Sequence, residues 1–364
     1  MVVRSAALHS CAESSSSTSK ILPFHFEPSF GRALSIVEAT PHNQEEAIIT
    51  RIMSTDNNVA SDMETSCCAS CGVAGIDDVK LKKCNGCYLV RYCGIECQRD
   101  HWRHHKKECK KRAAELRDEI LFKQPESTHR GDCPICMIPL PLDAMKTTIT
   151  VCCSKVICKG CNRENQERET KGRLLHVCPF CRKPLPDTKK KADKLHMKRV
   201  EANDPVAIVR EGMVQYSKGE YIKAFEYFTK AANLGDVEAH LKLALLYHHG
   251  HGVEKNKGKE IHHMEEAAIG GNTRARHNLG CLECGNGNLE RAGKHLVIAA
   301  NLGEDASIKK LTEMFRRGQV NKEDLDVALR GYQAAVNATR SPQREAADPE
   351  GDRLGLISII GMFS

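Results

Sequence analysis

The chain has 364 residues, of which 41% are hydrophobic and 28% are charged, and its formal net charge is +7. This length and balance indicate two or three domains rather than one large core, and they exclude a chain embedded in a membrane. The nineteen cysteines would suit a disulfide-rich secreted protein, but residues 1–20 lack the hydrophobic region of an export signal. We therefore predict a cytoplasmic and/or nuclear protein whose thiols stay reduced.

Residues 1–66 contain a serine run at 14–17 and scattered prolines, without sustained hydrophobic periodicity. This composition predicts a disordered N-terminal segment. Met53 precedes a polar run that leads directly to the first cysteine-rich region, so it is a second candidate translation start beside Met1.

A first cysteine-rich domain is predicted over residues 67–110. Repeated Cys-x2-Cys hooks in a reducing compartment are typical of zinc sites, and eight ligands serve two ions. A segment of about forty residues buries too little apolar surface to fold alone, so metal binding would supply the folding free energy. Cys67 falls outside the spacing and is interpreted as a spare thiol. The candidate ligands are Cys68, Cys71, Cys84, Cys87, Cys93, Cys97, His105 and Cys109.

This segment resembles the MYND zinc finger in its spacing, its Tyr92-Cys93 pair, its Cys97-Gln98 step and its ending Trp102-x2-His105-x3-Cys109. A complete tetrahedral ligand set leaves no open position for water, so we expect structural zinc ions and no catalytic residues. MYND fingers dock short proline-rich peptides, and the resemblance implies such a partner here; the alternative is a spacer finger without a ligand. The resemblance also implies interleaved ligand sets: Cys68, Cys71, Cys93 and Cys97 on one zinc, and Cys84, Cys87, His105 and Cys109 on the other.

Residues 111–130 carry charge pairs at i, i+4 spacing and predict a helical linker that ends near Pro125. A second cysteine-rich domain is predicted over residues 131–186. Its candidate ligands form three Cys-x2-Cys hooks and one adjacent pair, and they are Cys133, Cys136, Cys152, Cys153, Cys158, Cys161, Cys178 and Cys181.

The two ends of this second domain, Cys133-Pro-Ile-Cys136 and Cys178-Pro-Phe-Cys181-Arg-Lys-Pro, resemble a RING finger. The centre departs from the family, because its usual histidine aligns with Lys155 and a protonated lysine cannot donate a lone pair to zinc. Some variants of the family use eight cysteines, with four residues between the fourth and fifth ligands, as in Cys153-x4-Cys158. The alternative is a degenerate finger whose second site is weak, or is completed by His176 or water. The eight-cysteine variant implies one zinc on Cys133, Cys136, Cys158 and Cys161, and another on Cys152, Cys153, Cys178 and Cys181.

RING fingers of ubiquitin ligases bind a conjugating enzyme and do not act as chemical catalysts. The resemblance carries this role to Ile135 and Pro179, which match the usual contact positions, and to Arg182, which matches the cation that contacts the transferred ubiquitin. The irregular centre and the lack of a bulky aromatic residue in 162–177 oppose it. A ubiquitin ligase and a non-catalytic scaffold both remain open. A lysine methyltransferase, the enzyme class often paired with MYND fingers, is discounted for lack of a cofactor-binding motif.

Residues 187–205 are lysine-rich and predict a basic linker or a short charged helix, whereas residues 206–338 predict a repeat array. An Ala-Ala pair followed by glycine recurs at spacings of 36 and 32 residues, and each unit predicts two amphipathic helices, such as 206–217 and 221–232. The stretch Leu243-Ala-Leu-Leu-Tyr-His-His-Gly-His-Gly-Val resembles a Sel1-like repeat. The resemblance implies a solenoid that binds an unknown protein partner on its concave face. Residues 339–364 predict a disordered tail.

The predicted fold class is therefore small zinc-stabilised α+β fingers with cross-brace ligand pairing, followed by an all-α helical-repeat solenoid. Four Zn²⁺ ions are expected, two per finger. Fifteen ligating thiolates and four ions together subtract seven charges from the formal +7, which brings the net charge to about zero. We therefore expect protein partners, and neither nucleic acid nor a membrane.

Overall fold

The computed structural model describes residues 67–75 and 80–347. The predicted N-terminal segment 1–66 and residues 348–364 of the predicted tail lie outside the described residues. Both cysteine-rich domains and the repeats belong to one compact unit. Within the described part of the chain, no helix has the length and apolar character needed to cross a membrane.

The first finger is built on a short antiparallel hairpin and one long helix. Strands β1 (Lys82–Lys83) and β2 (Arg91–Tyr92) pair through Lys82 with Tyr92 and Lys83 with Arg91. Helix α1 (Ile95–Leu121) has 27 residues and contains neither glycine nor proline, so it continues far beyond the finger. It includes the charged stretch that the sequence analysis assigned to a linker.

The second finger is likewise built on a short antiparallel hairpin followed by one helix. A 3₁₀ turn (Ala144–Lys146) leads into strand β3 (Thr147–Ile149), which pairs antiparallel with β4 (Val156–Cys158). Helix α2 (Lys159–Lys171) follows β4 directly. Leu140 and Ile157 are buried among the cysteines and form the small apolar core of this finger.

From Lys189 to Ala347 the chain is built of helices joined by short turns, and the all-α solenoid is confirmed. The helix pair predicted over 206–217 and 221–232 corresponds to α4 (Pro205–Ser217) and α5 (Tyr221–Asn233). The helices are α3 (Lys189–Glu201), α4 (Pro205–Ser217), α5 (Tyr221–Asn233), α6 (Val237–His249), α7 (Lys257–Ile269), α8 (Thr273–Gly285), α9 (Leu289–Asn301), α10 (Asp305–Arg316), α11 (Lys322–Ala338) and α12 (Pro342–Ala347).

The start of three repeats is set by the same local hydrogen bond. The side chains of Asp204, Asp236 and Asn272 each accept a hydrogen bond from the backbone N–H three residues later, which caps α4, α6 and α8. A glycine in the left-handed region precedes the second and third of these caps, at Gly235 (φ 86°) and Gly271 (φ 83°). The turns between repeats are therefore encoded within a few residues.

The solenoid core consists of three successive apolar clusters, on α3–α6, on α6–α8 and on α9–α11. The repeated alanine pairs lie inside it: Ala231, Ala267 and Ala299 have no exposed surface. Small side chains at these positions let neighbouring helices pack closely, which a stacked array requires.

Helix α12 corrects the prediction of a disordered tail over 339–364, because residues 342–347 are ordered against the second finger. The guanidinium of Arg344 donates to the carbonyl oxygens of Ile138 (2.9 Å) and Pro139 (2.6 Å), and its Nη2 lies 3.5 Å from the Sγ of Cys136. A Cβ at Gly160 would lie 2.9 Å from the backbone of Gln343, so the contact depends on that glycine.

The segment between the fingers is also packed against the solenoid. The backbone N–H of His129 donates to the carbonyl oxygen of Gly271 (3.1 Å), and the His129 ring contacts Glu238 of α6 (3.4 Å). Glu238 also accepts from Asn272 (2.9 Å) and pairs with Lys242 (2.8 Å). One carboxylate thus joins the interfinger segment, α6 and the α7–α8 turn.

We expect Glu238→Gln to change the acid sensitivity of the fold. Burial raises the pKa of Glu238, but its pairs with His129 and Lys242 outweigh burial and lower that pKa from 4.5 to about 2. The stabilisation is therefore complete above pH 4.5 and disappears as the pH falls towards 2. Unfolding free energy, measured against pH, should fall less steeply below pH 4.5 in Glu238→Gln than in the wild type.

Acid also releases zinc from thiolates, so the difference between variant and wild type is the quantity of interest. The matched control is Glu226→Gln on α5, where the side chain is exposed. Parallel curves for wild type and Glu238→Gln would contradict the role of this carboxylate.

Candidate metal centres and docking surfaces

Sixteen side chains of the two fingers come together as four tetrads, and within each tetrad all ligand atoms lie within 4.8 Å of one another. The pairs interleave in both fingers, so each finger has a cross-brace arrangement. The tetrads coincide with the sets implied by the two resemblances. They are Cys68, Cys71, Cys93 and Cys97; Cys84, Cys87, His105 and Cys109; Cys133, Cys136, Cys158 and Cys161; and Cys152, Cys153, Cys178 and Cys181.

The spacing of ligand atoms in the first finger fits zinc. A tetrahedral ion with Zn–S bonds of about 2.3 Å separates its sulfurs by about 3.8 Å. The Sγ atoms of Cys71 and Cys93 are 3.6 Å apart and those of Cys84 and Cys109 are 3.7 Å apart. The Nε2 of His105 lies 3.2 Å from the Sγ of Cys87. A disulfide would require about 2.05 Å, so these thiols are arranged for chelation and not for cross-linking.

The second finger has the same dimensions in both tetrads. The Sγ atoms of Cys136 and Cys158 are 3.9 Å apart, those of Cys153 and Cys178 are 3.9 Å apart, and those of Cys152 and Cys181 are 3.3 Å apart. The adjacent Cys152 and Cys153 therefore both face one site. This geometry fits the eight-cysteine variant.

The two residues that could have altered this site are engaged elsewhere. The Nδ1 of His176 lies 3.1 Å from the buried carboxylate of Glu169, so this histidine does not complete the tetrad. The ammonium of Lys155, at the family's usual histidine position, lies 5.6 Å from the centre of the Phe180 ring. Lysine at this position is therefore compatible with a complete four-cysteine set.

A recurring backbone turn explains how the adjacent cysteines reach one site. In four hooks the N–H of the residue after the second cysteine donates to the carbonyl oxygen of the first cysteine at 2.8–2.9 Å. That residue is left-handed: Gly72, Tyr88, Met137 and Arg182, with φ of 74°, 57°, 56° and 57°. Three of these four are not glycine, which is uncommon and requires support from the surrounding structure.

The same turn occurs at Thr150, where the N–H of Ser154 donates to the Thr150 carbonyl at 2.8 Å and φ of Ser154 is 56°. Thr150 takes the place of the first cysteine, and its hydroxyl lies 3.0 Å from the Sγ of Cys153. Cys153 is thus the second cysteine position of a further hook with this turn, and Cys152 precedes it inside the turn. The sequence analysis missed this hook because it searched for cysteine at both ends.

Backbone donors favour the thiolate form at the first cysteine of three hooks. Burial raises the pKa of Cys68, Cys133 and Cys178, but hydrogen bonds from backbone N–H groups outweigh it, and the pKa falls to about 6, 7 and 7 respectively. The donors belong to the cysteines' own turns and, for Cys68 and Cys133, also to Cys93 and Cys158. Thiolate is the form that binds zinc. These hooks are therefore prepared for metal at neutral pH.

The residues predicted to contact a conjugating enzyme lie on the second finger's turns. Ile135 is 41% exposed on the Cys133 turn, and Phe180, next to the half-buried Pro179, is 42% exposed on the Cys178 turn. Arg182 is exposed at the end of the same turn. Helix α2 offers no aromatic side chain, but Leu175 after it is 82% exposed. An accessible apolar surface flanked by a cation is thus present.

Comparison with known protein families identifies two kinds of module in this architecture. Residues 68–109 match the MYND finger, and residues 215–236 and 237–272 match the Sel1 repeat. The chain is a zinc-binding protein-interaction protein. It contains a MYND finger and Sel1 repeats, as both resemblances predicted.

Among curated proteins, the chain is similar to DAP3-binding cell death enhancer 1 of Mus musculus, with 26% identity over 174 residues. The match covers 37% of this chain and spans about a third (34%) of that relative. Among solved structures, it is similar to a Sel1 repeat protein from Oxalobacter formigenes (25% identity, TM-score 0.36, 49% of this chain and 72% of that chain). It is also similar to c5321 of uropathogenic Escherichia coli, a protective antigen with an SLR fold (21% identity, TM-score 0.34, 46% and 37%).

Proposed function

We propose that this protein is an adaptor whose repeats hold a protein partner and whose second finger, of RING type, recruits a ubiquitin-conjugating enzyme. The observation that most directly supports this proposal is the second finger's pair of complete, interleaved tetrads. Ile135 is exposed on one of its turns and Arg182 on another. Complete ligand sets support a rigid finger that can present these side chains to another protein. The curated relative named for binding DAP3 supports a protein partner.

The proposal includes four zinc ions, each held by one tetrad. With four protein ligands per ion, no position is open to water or substrate, so the ions would be structural and no residue of the fingers would be catalytic. The first finger would dock a short proline-rich peptide. Its exposed apolar side chains Leu89 and Ile95, on either side of β2, support such a surface.

We expect autoubiquitination by the zinc-loaded full chain with at least one member of a panel of conjugating enzymes. Ile135→Ala and Arg182→Ala should each reduce the rate about tenfold or more, because each removes a contact that the interface needs. The matched control is Met145→Ala, which removes a 72% exposed side chain elsewhere in the same finger and should leave the rate unchanged.

The alternative is a scaffold in which both fingers and the repeats only dock proteins. The observation in its favour is helix α2, whose sequence from Lys159 to Lys171 contains no aromatic residue for the conjugating enzyme. Zinc-loaded protein that is inactive with every enzyme of the panel would reject the ligase and favour the scaffold.

A further inference from the structure

The C-terminal end of α1 covers a buried arginine of the solenoid. Arg276 of α8 has no exposed surface, and its guanidinium donates to the carbonyl oxygens of Leu121 and Ala268. Among the described residues none of its hydrogen bonds goes to a carboxylate, and its Nε has no partner. Burial alone lowers the pKa of Arg276 to about 10, which reflects a cation without a paired anion.

Three more basic side chains, all from α9, surround the ring of Phe122. The ring centre of His295 is 4.7 Å away, the Cζ of Arg291 is 4.9 Å away and the Nζ of Lys294 is 5.7 Å away. His295 is 1% exposed, and neither of its ring nitrogens has a hydrogen-bond partner in the described structure. Stacking on cations and on an imidazole favours an aromatic side chain at this position.

Two further contacts define what the site recognises. Asp118, one turn before Phe122, forms an ion pair with Arg291, which also pairs with Glu283 of α8 (2.9 Å). Leu121 is 1% exposed and lies in the apolar cluster of α6–α8, beside residues such as Leu241 and Leu279. Residues at positions i, i+3 and i+4 share one face of a helix. The site therefore contacts an acidic residue, a leucine and an aromatic residue on one face of α1.

The chain's own segment satisfies this site only in part. A buried guanidinium that meets carbonyl oxygens alone, beside a buried histidine without partners, is costly compared with one that faces a carboxylate. The groove also continues past Phe122 into an open cavity of about 570 Å³ along Leu289, Val297 and Val320. The surface is thus longer than the segment that covers it.

We propose that the repeats bind a helical segment of a protein partner that carries an acidic residue followed, three and four residues later, by leucine and an aromatic residue. In this structure Asp118–Phe122 fills the site in place of that partner. The partner segment extends into the cavity beyond Phe122 and brings a carboxylate to Arg276 and His295. This inference deepens the proposed function, because it names the partner class of the repeats.

The test uses the full chain with Asp118→Arg and Phe122→Ala, which weakens the internal segment through repulsion with Arg291 and loss of the ring. A fluorescent peptide with the native sequence of residues 111–126 is titrated by anisotropy. It should bind this variant with a micromolar Kd and bind the wild type about tenfold or more weakly, since the internal segment competes at high effective concentration. A chain with Glu119→Arg, a side chain 61% exposed on the same helix, should behave as the wild type.

A second peptide that carries the same two changes should lose binding to the variant. Equal affinity of the two peptides would mean non-specific apolar association and overturn the proposal, as would no binding to a variant that keeps its zinc and helical signal.

If the variant does not fold, hydrogen exchange of residues 117–124 is measured in the wild type instead. Excess native peptide should accelerate that exchange, and unchanged exchange overturns the proposal. The ubiquitination assay reports on the second finger, so failure of either proposal is seen separately.

Discussion

Replacing Cys152 with serine should lower the zinc content from four ions per chain to three and unfold the C-terminal half of the second finger. Cys152 is buried, and its Sγ lies 3.3 Å from that of Cys181 in the tetrad. A structural zinc contributes on the order of 10–16 kcal/mol to the folding of a small finger, so loss of one ligand is among the largest effects available to a single substitution. Native mass spectrometry counts the ions. Limited proteolysis detects the unfolding as new cleavage sites within residues 150–180.

Cys67→Ser provides the matched control. Cys67 is also one of two adjacent cysteines, but it is exposed and belongs to none of the tetrads found among the described residues. We expect four ions to remain in this variant. A wild-type count of three, or an unchanged count in Cys152→Ser, would contradict a zinc site on the adjacent pair and remove the main support for a complete second finger.

Leu121→Ala should reduce the unfolding free energy of the repeats by about 2–5 kcal/mol, although Leu121 belongs to the helix of the first finger. Its side chain is 1% exposed and fills the cluster formed by α6, α7 and α8. Truncation leaves a cavity and removes apolar contacts that no repeat residue replaces. Urea unfolding followed by the helical circular dichroism signal measures the change.

Ile222→Ala on α5 is the control for this measurement. Ile222 is 66% exposed, and we expect a change of less than about 0.5 kcal/mol. If Leu121→Ala were as mild as this control, the end of α1 would be a passive neighbour of the repeats. The peptide site proposed above would then lose its apolar anchor.

The candidate ligands could be found in the sequence because chelation is local. Two cysteines separated by two residues share a tight turn, whereas the interleaved pairing of these turns was implied by the resemblance to known zinc fingers and not by the spacing. The helix pairs of the repeats follow equally directly from the alanine-glycine period and from capping residues such as Asp236. In both regions the determining contacts lie within a few tens of residues.

The parts that sequence patterns did not reveal depend on distant contacts. From its sequence, the end of α1 is predicted to be a charged, solvent-exposed helix. Only the structure shows that Leu121 packs in the same core as Leu241, which lies 120 residues later in the chain. Arg276 and His295 lie on faces where polar residues are normally exposed, yet Leu121 and Phe122 cover them. Thr150 has no zinc-ligand chemistry, so its place in a zinc-finger turn is visible only from the backbone.

Arg344 has a consequence for the order of events during synthesis. Its contact with Cys136 joins residues 208 positions apart, so the second finger leaves the ribosome long before α12 can reach it. Until α12 is made, the Ile138–Pro139 edge of the finger lacks this cover. Once formed, the contact closes the chain into a loop that contains helices α4–α11. A truncated or misfolded array would leave the finger's Ile138–Pro139 edge open, which makes that edge a marker of whether the array has been completed.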